Sequence, residues 1–401
     1  MAGTESREVH HASTMLPVNF VQNMDPLTTS QVVSFMKIKD KPKFKTAWIL
    51  KNEIKAVDLY CYLGARFGAP NGMQNILRSD DSDNLVHWEW MIKSKSYFII
   101  IHGLNYRSEV WITGDKFEDS EKDDLIAQLT ADFQAYGKIM GQIRNHLEHW
   151  TEFINPYKRV RNSVKKLLSE IGDLKLDAAA DKVPEITENI DPKTFEEIWR
   201  EQATKYSRAL GFSFGVRSML PVMAEAFVNL MLYNLMKPEL AKDQRLKDSI
   251  IRMPIDVRIK SLSNNCHGFK QQVDYSMQAC KDYHSLVNDR NDLLHGNIVI
   301  EKLKFNDLYF FGKVPLFKKY PSMWERAFGI EQQFVGLDVI ESELKVVDSL
   351  TEYLLSCLVD EVRLQVEYVA DQLFLAVNSE NGRLGVLFPE WLVDMGTLPI
   401  E

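Results

Sequence analysis

Cysteine is scarce in this chain: Cys61, Cys266, Cys280 and Cys357 are scattered over 401 residues, with no CxxC pair and no neighbouring histidine except His267. That distribution indicates neither a disulfide framework nor a zinc ligand set. Other chemical signatures are missing too. There is no HExxH, no glycine-rich phosphate loop opening a helix and no nucleophile elbow, which removes the sequence grounds for zinc-peptidase, P-loop or α/β-hydrolase chemistry. His10-His11 lies in a polar stretch without further ligands. No metal and no cofactor is expected.

Positive charge is in deficit as well. Lys and Arg number 48 against 56 Asp and Glu, a net charge of −8, which argues against indiscriminate coating of nucleic acid. A local cationic cleft stays open to two segments. One alternates Lys37, Lys39, Lys41, Lys43 and Lys45; the other carries Lys158, Arg159, Arg161, Lys165 and Lys166 along an expected helix. Each reads first as solvated surface charge, since no stacking aromatics neighbour it, and second as a contact for a phosphate backbone. Long apolar runs are also lacking. The first eight residues hold none of the kind a secretory signal needs, and the longest apolar region, 212–236, is interrupted by Arg217, Pro221 and Glu225. It suits a buried bundle helix better than a membrane span, so a cytoplasmic protein with no membrane partner is expected.

The chain has 401 residues, 45% of them hydrophobic, enough for two domains each with its own core. Residues 1–45 are polar without sustained period and read as a tail or arm. An α+β domain is expected over 46–171. It opens with helical spacing at Leu50, Ile54, Val57 and Cys61, then alternates at Val86, Trp88, Trp90 and Ile92 as a half-buried strand, with two further strands at 97–102 and 109–113. A long helix follows, striped by Leu125, Leu129, Phe133, Tyr136, Met140, Ile143, Leu147, Trp150 and Ile154. Residues 172–192 are acidic and Ala-rich, a linker. Asp191-Pro192 and the Thr194/Glu197 capping box compete as the next helix start.

From 193 to 374 the pattern is mainly α: helices over 206–236, restarted or bent at Pro221, over 246–262, from Val273 through Val287, and from Leu344 to about Phe374. An irregular insert at about 297–338 contains a hairpin signal at Tyr309-Phe310-Phe311, and 375–401 reads as a second tail. Four or five helices with short connections make an antiparallel bundle. The fold class expected is therefore mainly α, a carboxy-terminal helical bundle preceded by a smaller α+β domain.

One run within that bundle carries chemistry: Asp289-Arg290-Asn291-Asp292-Leu293-Leu294-His295-Gly296. Metal-independent RNA cleavage needs a group to take the 2′-OH proton, a group to protonate the leaving 5′-oxygen, and donors for the charge on phosphorus. Histidine titrates near neutral pH and arginine holds phosphate oxygens through its planar fork; Asn291 adds a neutral donor and acceptor. Five positions on an ideal helix turn about 500°, so Arg290 and His295 stand about 140° apart. One phosphate reaches both only on an irregular helix, or when a second copy supplies the missing partner across a two-fold axis. Gly296 is placed as a left-handed cap.

Arg290-Asn291 followed by His295-Gly296 resembles the Arg-x4–6-His signature of HEPN domains, α-helical bundles that include many metal-independent ribonucleases. Upstream, Ala224-Glu225-Ala226-Phe227-Val228-Asn229 is similar to the first-helix pattern of several HEPN groups, and the resemblance covers roughly residues 193–374. It implies an RNA-cleaving homodimer, with Arg290 on the scissile phosphate, His295 as general acid or base and Asn291 as orienting group. It also implies products ending in a 2′,3′-cyclic phosphate and a 5′-hydroxyl, a toxin or phage-defence setting, and an antitoxin or other regulatory partner. The alternative it leaves is a non-catalytic module that binds nucleotide, RNA or protein.

Each residue has a plainer reading beside the functional one. Arg290 is able to pair with Asp289 or Asp292 while His295 caps helix carbonyls. Glu225 needs a cation in its apolar helix, Arg290 or another, and the pair is structural or catalytic. His284 either lines the same groove or is a partly buried histidine. Arg144-Asn145-His146-Leu147-Glu148-His149 repeats the spacing within the amino-terminal stripe, where an exposed structural flank or a second site are the two readings.

Overall fold

The computed structural model describes residues 15–40, 42–73, 86–177, 181, 191–305, 307–316 and 324–387. They fall into two compact units, one holding the residues up to Thr151 with Asn378–Gly382 and Leu387, the other Glu152–Val377 with Arg383–Val386.

The first unit is built on an antiparallel sheet. In chain order come β1 (Met24–Pro26), α1 (Thr29–Lys37), β2 (Phe44–Leu50), α2 (Ala56–Phe67), β3 (Trp88–Ser94), β4 (Tyr97–Gly103), β5 (Ser108–Thr113) and α3 (Asp119–Arg144), with the five strands ordered β1-β3-β4-β5-β2. The expected meander is its centre, where Trp90, Ile101 and Val110 stand in one cross-strand row and Ile92, Ile99 and Ile112 in the next. All six are buried against Leu59, Tyr62 and Leu63 of α2 and Leu125 and Leu129 of α3. Each such side chain contributes about 1.5–3 kcal/mol by leaving water. The opposite face is covered too, by Val32 and Phe35 of α1 packing on Met91 with Phe98 and Ile100 beside it.

Three expectations for this region are corrected. Residues 15–40 are not a loose tail: Leu16, Phe20, Val21 and Met24 belong to the core, and Thr28 caps α1 in a box with Gln31. These apolar residues come from turns and a three-residue strand, which have no period to read. Leu50 ends β2, and the helix begins six residues later at Ala56; the four-residue spacing ran by coincidence through a strand, a turn and a helix. The stripe from Leu125 to Ile154 is likewise two elements, since α3 stops at Arg144 and β6 (Trp150–Ile154) follows.

Asn155 then starts α4 (Pro156–Asp173). Fully buried, it accepts from the N–H groups of Tyr157 and Lys158, while its side-chain amide donates to the Val369 and Gln372 carbonyls. Pro156 at the first helical position has no N–H to leave unpaired. This helix belongs to the second unit, so the division lies at Thr151/Glu152 and not in 172–192.

The second unit continues with α5 (Pro192–Leu235), α6 (Pro238–Ala241), α7 (Gln244–Ile251), α8 (Ile255–Asn265), α9 (Gln278–His295) and α10 (Ile300–Leu303). After the hairpin β7 (Tyr309–Phe311) and β8 (Val314–Leu316) come a π-turn (Glu325–Gly329), α11 (Ile330–Val335), α12 (Ile340–Ser356) and α13 (Asp360–Asp371). β9 (Phe374–Asn378) and β10 (Leu384–Gly385) pair antiparallel. Among the described residues the chain is thus mainly α with small antiparallel sheets.

Of the two competing starts, Asp191 caps α5 with Pro192 behind it. The helix runs unbroken through Pro221 and supplies Leu220, Met223, Phe227 and Met231 to a core shared with α8, α9, α12 and α13. The single helices expected over 246–262 and 344–374 are each two. Pro254 separates α7 from α8, and a turn at Cys357–Val359 separates α12 from α13. Val273 precedes α9, and β9 and β10 replace the beginning of the expected carboxy-terminal tail.

Candidate functional site

Helix α9 buries Cys280, Tyr283 and Leu286. Arg290 follows Leu286 by four residues and Tyr283 by seven, so it falls on the same inward face and is half-buried. Five residues on, His295 is exposed at the last helical position, and Gly296 closes the helix in the left-handed conformation at φ 62°. Asn291 is half-buried between them.

The neighbouring acids do not serve Arg290. Lys302 binds both Asp289 and Asp292, at 2.9 and 2.6 Å. The two carboxylates, Asp292 foremost, push the Lys302 ammonium up to about 12. Asn297 and then Lys302 hold the Asp292 carboxyl below its ordinary range. Among the described residues Arg290 forms no ion pair, and its Nε is buried without a hydrogen-bond partner. His295 caps nothing: the Gly296 and Asn297 N–H groups donate to the Asp292 carbonyl. The plain helix-end reading is not what the chain adopts.

Glu225 is half-buried on α5, and its cation is Arg258 of α8, not Arg290. Arg258 is 5% exposed and also donates to the side chain of Asn229, one turn along α5 from Glu225. Its Nε, like that of Arg290, is buried and unpartnered. Tyr283 of α9 closes the group. Its hydroxyl donates to the Pro221 carbonyl at 3.1 Å, and burial with the Glu225 charge drives its pKa upward against the opposing pull of Arg258 and Arg290. The Pro221 carbonyl, Glu225 and Asn229 thus form a polar row on α5, the first taken by Tyr283 and the other two by Arg258. Arg258 was not singled out from the sequence. The signal was there: it occupies the i+3 position in the apolar stripe Ile255, Ile259, Leu262 of its helix.

The remaining candidates disperse. His284 is exposed, about 120° around α9 from Arg290, with its Nδ1 3.4 Å from the Tyr275 hydroxyl. On α4, Lys158 and Arg161 face Asp371 at 2.7 and 3.9 Å, and Lys166 pairs with Glu170. Arg159 and Lys165 alone in that run form no ion pair among the described residues. Arg144 binds Asp58, and the His149 imidazole meets the Ser379 hydroxyl, so the repeated spacing is absorbed by packing within the first unit. His10, His11 and Lys41 lie outside the described residues. Among those described, no three His, Cys, Asp or Glu side chains are grouped to hold a metal ion.

Two features escaped sequence reading. A cavity of about 420 Å³ opens beside α9, lined by Arg217, Asp289, Asp292, Leu293, Lys302 and Val339 among others; Arg290, Asn291 and His295 are not in its wall. In the first unit, Glu89, His102 and Glu109 stand in register across β3, β4 and β5. His102 Nε2 lies 3.1 Å from Glu109, and its Nδ1 3.9 Å from Glu89. Burial works against charge on this imidazole, but the two carboxylates outweigh it and raise its pKa. Burial likewise opposes the Glu109 charge; His102, Arg107 and Trp111 overcome it and hold the carboxyl at about 2. From the sequence Glu89 was only one of the alternate positions of a half-buried strand, and His102 and Glu109 only the ends of two further strands; their register was not readable.

No family model matches this chain, and no curated protein or solved structure matches it either.

Proposed function

We propose that the second unit is a metal-independent endoribonuclease module of HEPN type. The observation that carries this reading is Arg290, a half-buried guanidinium with no carboxylate partner among the described residues, on the helix that ends in exposed His295. An arginine held in place without a counter-ion is ready to take an anion, and a phosphodiester oxygen fits its fork.

In this reaction a histidine removes the proton of the ribose 2′-OH, O2′ bonds to phosphorus, and the P–O5′ bond breaks with a proton delivered to O5′. The products are a 2′,3′-cyclic phosphate and a 5′-hydroxyl. Arg290 holds the non-bridging oxygens as charge builds on them, and Asn291 orients the ribose or the base. The angular separation of Arg290 and His295 supports a homodimeric site, in which one protomer's arginine works with its partner's histidine. A free nuclease of this kind calls for a restraining antitoxin or other regulatory protein.

The test is cleavage of RNA by purified protein in excess EDTA. Wild type cuts and leaves cyclic-phosphate ends; Arg290→Ala and His295→Ala each lose about 100-fold or more. Equal cleavage by His295→Ala overturns the proposal. If no variant cuts, a non-catalytic RNA-binding module is the reading that Arg290 then supports.

A further inference from the structure

We infer that the apolar arm running from Ile298 through the β7–β8 hairpin is the surface by which a second copy of this chain docks beside α9.

Exposure comes first. All six strand residues of the hairpin face water, with Tyr309 70% and Phe311 81% exposed. The register sets Tyr309 opposite Leu316 and Phe311 opposite Val314, so these four share one face; Phe310 and Pro315 occupy the other. Among the described residues the two strands pack extensively on no other element, and a lone two-stranded hairpin is marginal in water. Upstream, Ile298, Ile300 and Leu303 are exposed as well, Ile298 at 81%.

The area suits a stable association. An aromatic side chain carries about 150–250 Å², so Tyr309, Phe310 and Phe311 with their aliphatic neighbours offer roughly 1,000 Å² of apolar surface. Monomeric proteins rarely show more than a few hundred, and a standard interface takes about 800 Å² from each partner. Charge then selects the partner. Lys302 is bound to Asp289 and Asp292, and Lys304 to Asp307 at 3.0 Å. Among the described residues of the arm that leaves Glu301 and Lys313, one of each sign. A nearly neutral apolar surface meets a second copy of itself across a two-fold axis without repulsion. An RNA backbone or an anionic bilayer asks instead for an excess of cations.

The same ion pairs fix where that copy sits. Lys302 ties α10 to the two acids that flank Arg290-Asn291 on α9, so the arm leaves the bundle at the helix end that carries Arg290 and His295. A copy docked there brings its own Arg290 and His295 close to the first pair. One helix does not supply this, because it sets the two side chains about 140° apart. Only the need for a second pair rests on the ribonuclease reading; the exposed arm calls for a partner without it.

The full chain is followed by sedimentation velocity from about 0.1 to 100 µM, a range in which weak interfaces of this size separate and strong ones hold. Wild type is expected to dimerise, and Phe311→Glu and Val314→Glu each to raise the dissociation constant by about tenfold or more. Both side chains are exposed, so the circular dichroism spectrum is expected to stay that of wild type. Tyr309→Ser, which adds no charge, replaces them if a glutamate disturbs the hairpin. A chain that is monomeric at every concentration, or variants that dimerise as tightly as wild type, overturns the inference. Phosphatidylserine vesicles and a 2′-O-methyl RNA oligonucleotide, which lacks the nucleophile and is not cleaved, are the competing probes. Either one, bound by monomeric wild type and not by Phe311→Glu, claims the arm for that partner and equally overturns it. Dimers lost in Phe311→Glu, from a protein without EDTA-resistant cleavage, leave the arm standing and remove the nuclease reading. Cleavage by wild type alongside undiminished dimers of Phe311→Glu does the reverse.

Discussion

The carboxylate of Glu225 is held by Arg258, from a neighbouring helix, and not by Arg290. Among the described residues Arg290 is left without a carboxylate partner. Had Glu225 reached Arg290, the motif helix would end in a neutralised pair with nothing to offer a phosphate.

Gly296 sets where that helix stops. Its φ of 62° is strained for any side chain, although a Cβ there would meet nothing within 4 Å. Gly296→Ala is expected to cost about 1 kcal/mol from backbone conformation alone, and Gly296→Asn less, because asparagine tolerates the left-handed region. Urea denaturation of both variants checks the order; an alanine variant as stable as wild type removes the cap from the account.

A second prediction concerns Arg217 and Glu343, whose side chains are 15% and 12% exposed. Arg217 also donates to the Val335 carbonyl at 2.7 Å. Arg217→Ala strands a buried carboxylate and is expected to destabilise the second unit by about 3–5 kcal/mol. The double variant Arg217→Met with Glu343→Leu, which removes both charges and keeps volume, is expected to lose far less. Comparable losses for the single and double variants would show that packing, not charge, dominates.

The Glu89–His102–Glu109 row gives the first unit a stability optimum in mildly acid solution. Glu109, held at about 2, contributes stability that is present above the ordinary glutamate range and is lost as pH falls toward 2. His102, raised from its ordinary value, contributes in full below about pH 6.5 and loses its share as pH rises through the raised value. Chemical denaturation followed at tryptophan, at steps from pH 2 to pH 9, reads both limbs. His102→Gln is expected to flatten the alkaline limb; an unchanged slope would assign it elsewhere.

All four cysteines are buried and free. Burial pushes the Cys266 thiol up to about 12 and that of Cys280 to about 11, and a protonated thiol is a poor nucleophile. At pH 8 a thiol-reactive dye is expected to label none of the four in the folded chain and all of them in urea. Rapid labelling of the native protein would contradict the packing around α9 and α12.

What the sequence made legible follows from periodicity and backbone chemistry. Trp88–Ile92 alternates because one face meets α2 and α3, and Gly296 ends α9 because glycine takes the left-handed conformation at the least cost. Breaks without such marks stayed hidden. Cys357–Val359 has neither proline nor glycine, so α12 and α13 read as one helix, while the apolar stripe of α3 ran by chance into a strand. Arg290 and His295 were visible as residue types, but the pairing that leaves Arg290 without a carboxylate among the described residues depends on Lys302 with Asp292 and Asp289 and on Arg258 with Glu225, contacts made across 10, 13 and 33 positions of chain. Periodicity reports which face is buried, not which charges meet on it.

The chain first leaves the amino-terminal unit after Thr151 and returns at Asn378. There the Ser379 N–H donates to the His149 carbonyl at 2.8 Å and the Asn378 side chain to Glu148 at 3.3 Å. Both contacts lie within the first unit, so the residues just before the chain leaves it and just after it first returns are held side by side. A deletion that joins Thr151 to Asn378 would remove Glu225, Arg258, Arg290 and His295 together and keep the ends of the first unit within reach of one another, but it would strand Leu384 and Val386, which pack on the second unit's core.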